Sequence, residues 1–384
     1  MERHYGLDWL RIGAFALLIL YHVGMVFVPW DYHVKLPGPV WATLPMLALN
    51  PWRLALLFVV SGYASRALLA RTATLGGFAR NRSLRLLVPL LFGMAVVVPP
   101  QPWAELASKY GYTGGFLTFW RRDYFSFAPL HGVSLPTWNH LWFVAYLWVY
   151  TMALAAVLAV MPQRARAAMQ RGFESVLATP AVLVLPLAWM VAVNTWLFPG
   201  GRETHALVDD GLAHALYLPM FLFGFGLAAA PRVIATLVRW WRPMAVVAGL
   251  SYLFVAVLEW RWPGNMVPPF PLGHLYGLAR AVQGWSTIAA LIGFADRHWN
   301  RDHRWRPMLT EAVFPFYLVH QTIIVVVAWW IASAGLDPVA EFAILVAATV
   351  AGCWAFYLVG RDIAVLRPLI GLRARRSAPL AMAG

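Results

Sequence analysis

Charge is scarce in this chain, and acid is scarcer than base. Only 12% of the 384 residues are Asp, Glu, Lys or Arg, and 16 acidic residues face 30 Lys and Arg for a formal charge of +14. Soluble domains carry roughly 25% charged residues. With 61% hydrophobic residues beside that deficit, the composition is that of an integral membrane protein rather than a soluble one with a very large core. The single cysteine, Cys353, excludes an intrachain disulfide and a cysteine-built metal site. The histidines are scattered, with no i,i+4 pair beside a carboxylate, so no metal and no prosthetic group is expected. Phosphate-cradling P-loops, Rossmann glycine patterns and a Gly-x-Ser-x-Gly elbow are also missing, which argues against an ATPase, a dehydrogenase or a serine hydrolase.

What the chain has instead is long apolar runs. Runs near 20 residues indicate spanning helices, since a barrel would show short alternating segments. Ten spans are predicted, at about 10–28, 50–70, 84–100, 139–161, 178–198, 212–230, 243–260, 275–295, 312–332 and 340–360. The first run exceeds a signal-peptide h-region and ends in Val28-Pro29-Trp30 without a small-residue cleavage site, so it is expected to be retained. With a cytoplasmic N-terminus, 22 of the 30 Lys and Arg residues fall on the cytoplasmic side and 7 on the other, leaving Arg280 within a span. The positive-inside rule therefore predicts both termini in the cytoplasm, and the location of the cations rather than their sum speaks against nucleic acid as a partner. The expected fold is an all-α integral membrane protein, a polytopic bundle of about ten transmembrane helices. It is read as one domain over 1–372 with a short cytoplasmic tail at 373–384.

Against this apolar background the polar residues stand out. Arg11 and His22 lie in the first span, and eleven steps of an α-helix advance roughly 16 Å through about three turns, so both side chains point the same way. An ionisable group inside a span usually faces a protein interior or a water-filled cavity and marks function. An imidazole titrates near neutrality and suits a general base, although a lone buried histidine can equally be a packed, hydrogen-bonded one. His320, in Phe316-Tyr317-Leu318-Val319-His320-Gln321 of the ninth span, is expected at a comparable depth. Arg82 and Arg85, three apart at the cytoplasmic mouth of the third span, share a helix face. Positive-inside statistics alone put arginines there; recognition of a phosphorylated cytosolic molecule is the specific alternative.

Ser61 and Gly62 interrupt Phe58-Val59-Val60-Ser61-Gly62-Tyr63, as small residues do where helices pack closely. Trp138-Asn139-His140-Leu141-Trp142-Phe143 opens the fourth span as an interface anchor or part of an acceptor site. Glu259 and Arg280, near the outer ends of spans seven and eight, either pair with each other or serve a ligand. The long outer segment 101–139 holds eight aromatic residues from Trp103 to Phe125, and reads as rings resting at headgroup level or as a platform for an outer-side acceptor.

At these residues the chain resembles the membrane-bound acyltransferase 3 family. The motifs are Arg11 followed after ten residues by His22, Arg82-x-x-Arg85, Phe58-Val59-Val60-Ser61-Gly62-Tyr63 and Tyr317-Leu318-Val319-His320. Further matches, Tyr32-His33-Val34, His140-Leu141-Trp142-Phe143 and Tyr217-Leu218-Pro219-Met220-Phe221, are most similar to the glucan biosynthesis branch, whose members transfer succinyl groups to periplasmic glucans. The resemblance implies a multi-pass protein of the bacterial inner membrane that takes an acyl group, acetyl or succinyl, from cytoplasmic acyl-CoA to a hydroxyl of an envelope glycan. It implies His22 as catalytic histidine with Arg11 as motif partner, and Arg82 and Arg85 as contacts of the donor. His320 is expected to share the reaction centre, and His140, Trp142, Glu259, Arg280, Tyr317 and Ser61 to meet substrate. Membrane lipids are the remaining expected partners. The competing expectation is a proton-coupled transporter or flippase, with His22, His320, Glu259 and Arg280 as its relay; a sensor or scaffold of an envelope assembly is the third.

Overall fold

The computed structural model describes residues 4–264, 266 and 268–374. Fifteen helical segments follow one another: α1 Tyr5–Met25, α2 Thr43–Leu49, α3 Arg53–Leu69, α4 Leu75–Phe92, α5 Pro100–Tyr110, the single turn α6 Phe116–Thr118, α7 Trp142–Val160, α8 Gln163–Leu177, α9 Ala181–Ala192, α10 Gly211–Leu227, α11 Pro231–Arg261, α12 Leu272–His298, α13 Arg306–Ile331, α14 Pro338–Asp362 and the short α15 Leu366–Leu369. Among the described residues there is no strand beyond one isolated bridge, Leu130 with Val133. The chain is an all-α, multi-pass membrane protein. Six helices are long and apolar enough to cross a bilayer, and up to eight if each of two bent pairs is one span.

A helix occupies each of the ten predicted apolar runs, but they are not ten equal rods. α4 and its π-helical extension Gly93–Val97 meet α5 at a bend of 40°. α8 meets α9 at 99°, so the arginine-bearing stretch predicted as an inner loop is a helix lying across its neighbour. α10 is a shorter apolar helix of 17 residues. The predicted tail at 373–384 lies, from 375 onward, outside the described residues.

One large apolar cluster joins α1, α3, α4, α7, α10, α12 and α13. By contrast α11 and α14 bury little, and Val246, Leu250, Leu253 and Val257 form an exposed stripe along α11. In a bilayer such a stripe needs no protein partner, because lipid tails are as apolar as the side chains. α3 and α10 approach closely. A Cβ on Gly62 would stand 1.9 Å from the Phe221 carbonyl oxygen, and one on Gly224 would stand 1.8 Å from that of Val59. The glycine of the Ser61-Gly62 interruption is thus a packing residue, as small residues in spans commonly are.

Two helices set the axis of the site. Arg306 at the start of α13 pairs with Asp8 of α1 at 2.8 Å. Fourteen residues further along each helix, at His320 and His22, the two meet again. They therefore run parallel and in register over roughly 21 Å. The segment 101–139 has a small core of its own: Phe119, Tyr124 and Leu135 are buried with Leu106, and the Tyr124 hydroxyl donates to the Met94 and Thr137 carbonyls at 2.7 and 3.0 Å. Phe125 and Phe127 remain exposed.

Candidate active site

His22 and His320 meet ring to ring, with His22 Nδ1 2.9 Å from His320 Nε2. Which nitrogen holds the proton follows from the next bond. His320 Nδ1 faces the carbonyl oxygens of Tyr317 and Phe316 at 2.8 and 3.2 Å. Carbonyls only accept, so Nδ1 carries hydrogen and Nε2 of a neutral His320 carries the lone pair. His22 Nδ1–H therefore donates to it. His22 Nε2 is left without a hydrogen bond among the described residues, on a side chain that lines a cavity of about 970 Å³. An imidazole held by one nitrogen with the other presenting a lone pair is the arrangement of a general base or a nucleophile, its partner fixing the tautomer.

His140 is fixed by the same helix. Its Nε2 donates to the Tyr317 and Leu318 carbonyls at 3.1 and 3.3 Å, its Nδ1 lies 3.4 Å from the Gln101 amide, and the Tyr317 hydroxyl returns to the His140 carbonyl. Both nitrogens of His140 are thus engaged.

The same cavity is lined by Trp142, Arg280 and Tyr317, and also by Arg53, His33, Glu105, Glu203, His205 and Gln321. Of these, Arg53 is buried, with its Cζ 3.4 Å over the Tyr21 ring and its Nε without a hydrogen-bond partner among the described residues. Residues 201–205 line one side, where His205 stacks on Trp142 with ring centroids 4.0 Å apart. Burial pushes the Asp210 carboxyl up, but bonds from the Tyr146 hydroxyl and from the backbone at His205, Thr204 and Ala213 outweigh it and hold the group below the usual carboxylate range.

A second cavity of about 160 Å³ lies on the Arg11 side, lined by Arg11, Ser61, Arg82 and Thr310 among others. Leu57, Phe143 and Tyr317 line both cavities and form the wall between them. Arg11 donates to the Thr310 carbonyl at 3.1 Å and Arg82 to Ser65 Oγ at 2.7 Å. Among the described residues, Arg11 Nε, Arg82 Nε and Thr310 Oγ1 are buried without hydrogen-bond partners, and no Asp or Glu lines the cavity. Two desolvated guanidiniums around one void favour an anion there.

Not every predicted residue comes to these cavities. Arg85 lines neither, and Glu259 accepts from the Gly264 amide at 2.8 Å away from both. Arg280 sits 5.7 Å from the Tyr276 ring, and no ion pair joins it to Glu259 among the described residues. No group of His, Cys, Asp and Glu suited to a metal is found among the described residues.

Comparison with known proteins gives this geometry a context. The profile of the acyltransferase 3 family, described as an acyltransferase domain, matches residues 4–358. The chain belongs to that family. Among curated relatives, Glucans biosynthesis protein C of Escherichia coli is 27% identical over 151 residues, 39% of this chain and 37% of the relative. The protein of that name from Salmonella gallinarum is 23% identical over 231 residues, 58% of this chain and 57% of the relative. That of Shigella dysenteriae is 28% identical over 151 residues, 39% of this chain and 37% of the relative. The chain thus spans between about a third and three fifths of the length of these relatives. No solved structure matches. Both cavities lie within the matched residues.

Proposed function

We propose that this chain is a membrane acyltransferase that takes an acyl group, acetyl or succinyl, from cytoplasmic acyl-CoA and delivers it to a hydroxyl of an envelope glycan on the outer side of the bacterial inner membrane. In this reading one domain over 1–372 crosses the membrane ten times, and both termini are cytoplasmic. The observation that supports it best is the pair of cavities, one cationic and one holding His22 Nε2, separated by the shared wall of Leu57, Phe143 and Tyr317. The anionic part of CoA rests on Arg11 and Arg82, with Arg85 an outlying contact. The pantetheine arm then reaches past the wall to His22, a distance along α1 of roughly 16 Å. His22 Nε2 acts on the thioester or on the acceptor, and His320 takes up the charge that develops on Nδ1–H. His140 and Tyr317 brace α13, Ser61 borders the donor channel, and Trp142 and Arg280 face the acceptor. Glu259 keeps a structural place at the outer end of α11.

Purified protein in liposomes, given radiolabelled acyl-CoA and a neutral glucan oligosaccharide, is expected to release CoA thiol and to label the oligosaccharide. Movement of unmodified oligosaccharide without thioester consumption would instead identify a transporter. For the donor site, Arg11→Gln and Arg82→Gln are each expected to weaken CoA binding by about 10- to 100-fold. That is the range supported by a hydrogen bond to a charged group of roughly 1.5–3 kcal/mol. Arg85→Gln should weaken it less, because Arg85 lines neither cavity. Wild-type affinity for CoA in all three variants would assign the arginines to membrane topology alone.

A further inference from the structure

Beside His22 the large cavity holds a second imidazole in a different setting. His33 Nδ1 lies 2.6 Å from Glu105 Oε2, with side-chain exposures of 15% and 14%. The Gln321 amide donates to His33 Nε2 at 3.0 Å and to Gln101 Oε1 at 3.1 Å. Residues 320 and 321 of α13 thus hold one cavity imidazole each: His320 takes Nδ1–H of His22, and Gln321 marks the lone pair of His33. Glu105 is bound in turn by Lys109 at 2.9 Å, which also reaches Asp31 at 2.8 Å. A carboxylate on one ring nitrogen with a lone pair on the other is the arrangement that makes an imidazole a base.

Building on the acyltransferase reading, we infer that transfer runs in two covalent steps and that His33, oriented by Glu105, is the base of the second. In the first step His22 Nε2 attacks the thioester carbonyl carbon, a C–N bond forms, the C–S bond breaks and CoA leaves as thiolate. His22 Nδ1 passes its proton to His320 Nε2, and the thiolate is protonated by water on the donor side. In the second step the acceptor oxygen attacks the acyl carbon and its proton goes to His33 Nε2 as the hydroxyl displaces the Gln321 amide. The C–N bond to His22 breaks, the electron pair returns to Nε2, and His320 gives its proton back to Nδ1. The proton on His33 leaves to water on the acceptor side.

The need for a second base follows from the occupancy of the first. Once His22 Nε2 is acylated it cannot deprotonate the acceptor. His320 Nδ1 is committed to two carbonyls and Nε2 to His22, and both nitrogens of His140 are engaged. His205 also meets a carboxylate, with Nε2 3.1 Å from Glu203 Oε2, but its side chain is 39% exposed and it stacks on Trp142 away from the α13 bridge. The shielded pair is His33 with Glu105.

The test separates the two half-reactions in full-length protein. In His33→Asn and Glu105→Gln, mixing with acyl-CoA alone is expected to release about one equivalent of thiol and to leave on the protein an acyl mass increment that hydroxylamine removes and that His22→Gln does not acquire. Transfer to the oligosaccharide should fall by about 10²- to 10⁴-fold, the usual worth of a general base. Hydroxylamine, which attacks an acylimidazole without a base, should be acylated at the wild-type rate by both variants, which also reports that they are folded. Loss of the thiol burst along with transfer, transfer near the wild-type rate, or the same phenotype in His205→Asn instead would overturn the assignment. A wild-type protein that acylates its acceptor but needs that acceptor for any thiol release would overturn the covalent route while leaving the acyltransferase reading intact. A wild-type protein that neither releases thiol nor acylates would overturn both.

Discussion

His22→Gln is expected to lose acyl transfer by at least about 10²- to 10⁴-fold, with CoA affinity unchanged and the protein still folded. The side chain is similar in length, so the cavity keeps its volume; what disappears is a lone pair that can bind either a proton or an acyl group. Because Arg11 and Arg82 lie on the other side of the shared wall, donor binding and chemistry should separate cleanly: binding falls in the arginine variants and turnover in the histidine variant. His320→Asn should fall between them. It removes the ring nitrogen that accepts from His22 Nδ1–H and so leaves His22 free to adopt the tautomer whose Nε2 carries hydrogen, the kind of error made by replacing the aspartate of a Ser-His-Asp triad. Steady-state transfer with CoA titration calorimetry on the same preparations checks this order. Near-wild-type transfer by His22→Gln would remove it from the reaction.

The second large effect concerns folding. Gly62→Val places a branched side chain where even a Cβ meets the Phe221 carbonyl oxygen at 1.9 Å. The obstacle is backbone, which cannot rotate aside as a side chain does, so α3 and α10 must separate. Overpacking of a well-filled core costs about 1–3 kcal/mol where side chains can yield, and here the helices themselves must yield. Gly62→Val is therefore expected to give little or no monodisperse protein on size-exclusion chromatography. Gly249→Ala, on α11 with open space around it, serves as the control and should gain up to roughly 1 kcal/mol of helix propensity. Normal yield and melting temperature for Gly62→Val would mean that α3 and α10 pack otherwise.

Much of the bundle was legible because hydropathy reports burial in lipid directly. Each apolar run became a helix, whereas the bends at α4–α5 and α8–α9 depend on what each segment packs against, which no local pattern records. Arg11, His22 and His320 were legible for a related reason: a polar group inside an apolar run announces itself. His33, Glu105 and Arg53 were not, since they stand at the ends of runs, where charges ordinarily meet headgroups and water. Tyr32-His33-Val34 was visible as a motif, but Glu105, which gives His33 its chemistry, comes from 72 residues away. The pairing considered for Glu259 and Arg280 failed because the backbone amide of Gly264 lay nearer to Glu259 than any cation.

The wall between the cavities also bears on the cell's energetics. In the reading proposed above, the two cavities open to opposite sides of the membrane and are separated only by the side chains that line both, Leu57, Phe143 and Tyr317. The Tyr317 hydroxyl is already spent on the His140 carbonyl, so the partition offers ions no polar stepping stone. In the reading proposed above, an acyl-pantetheine arm that threads it fills the gap it opens. The selective pressure on these three residues is then as much for electrical insulation as for catalysis.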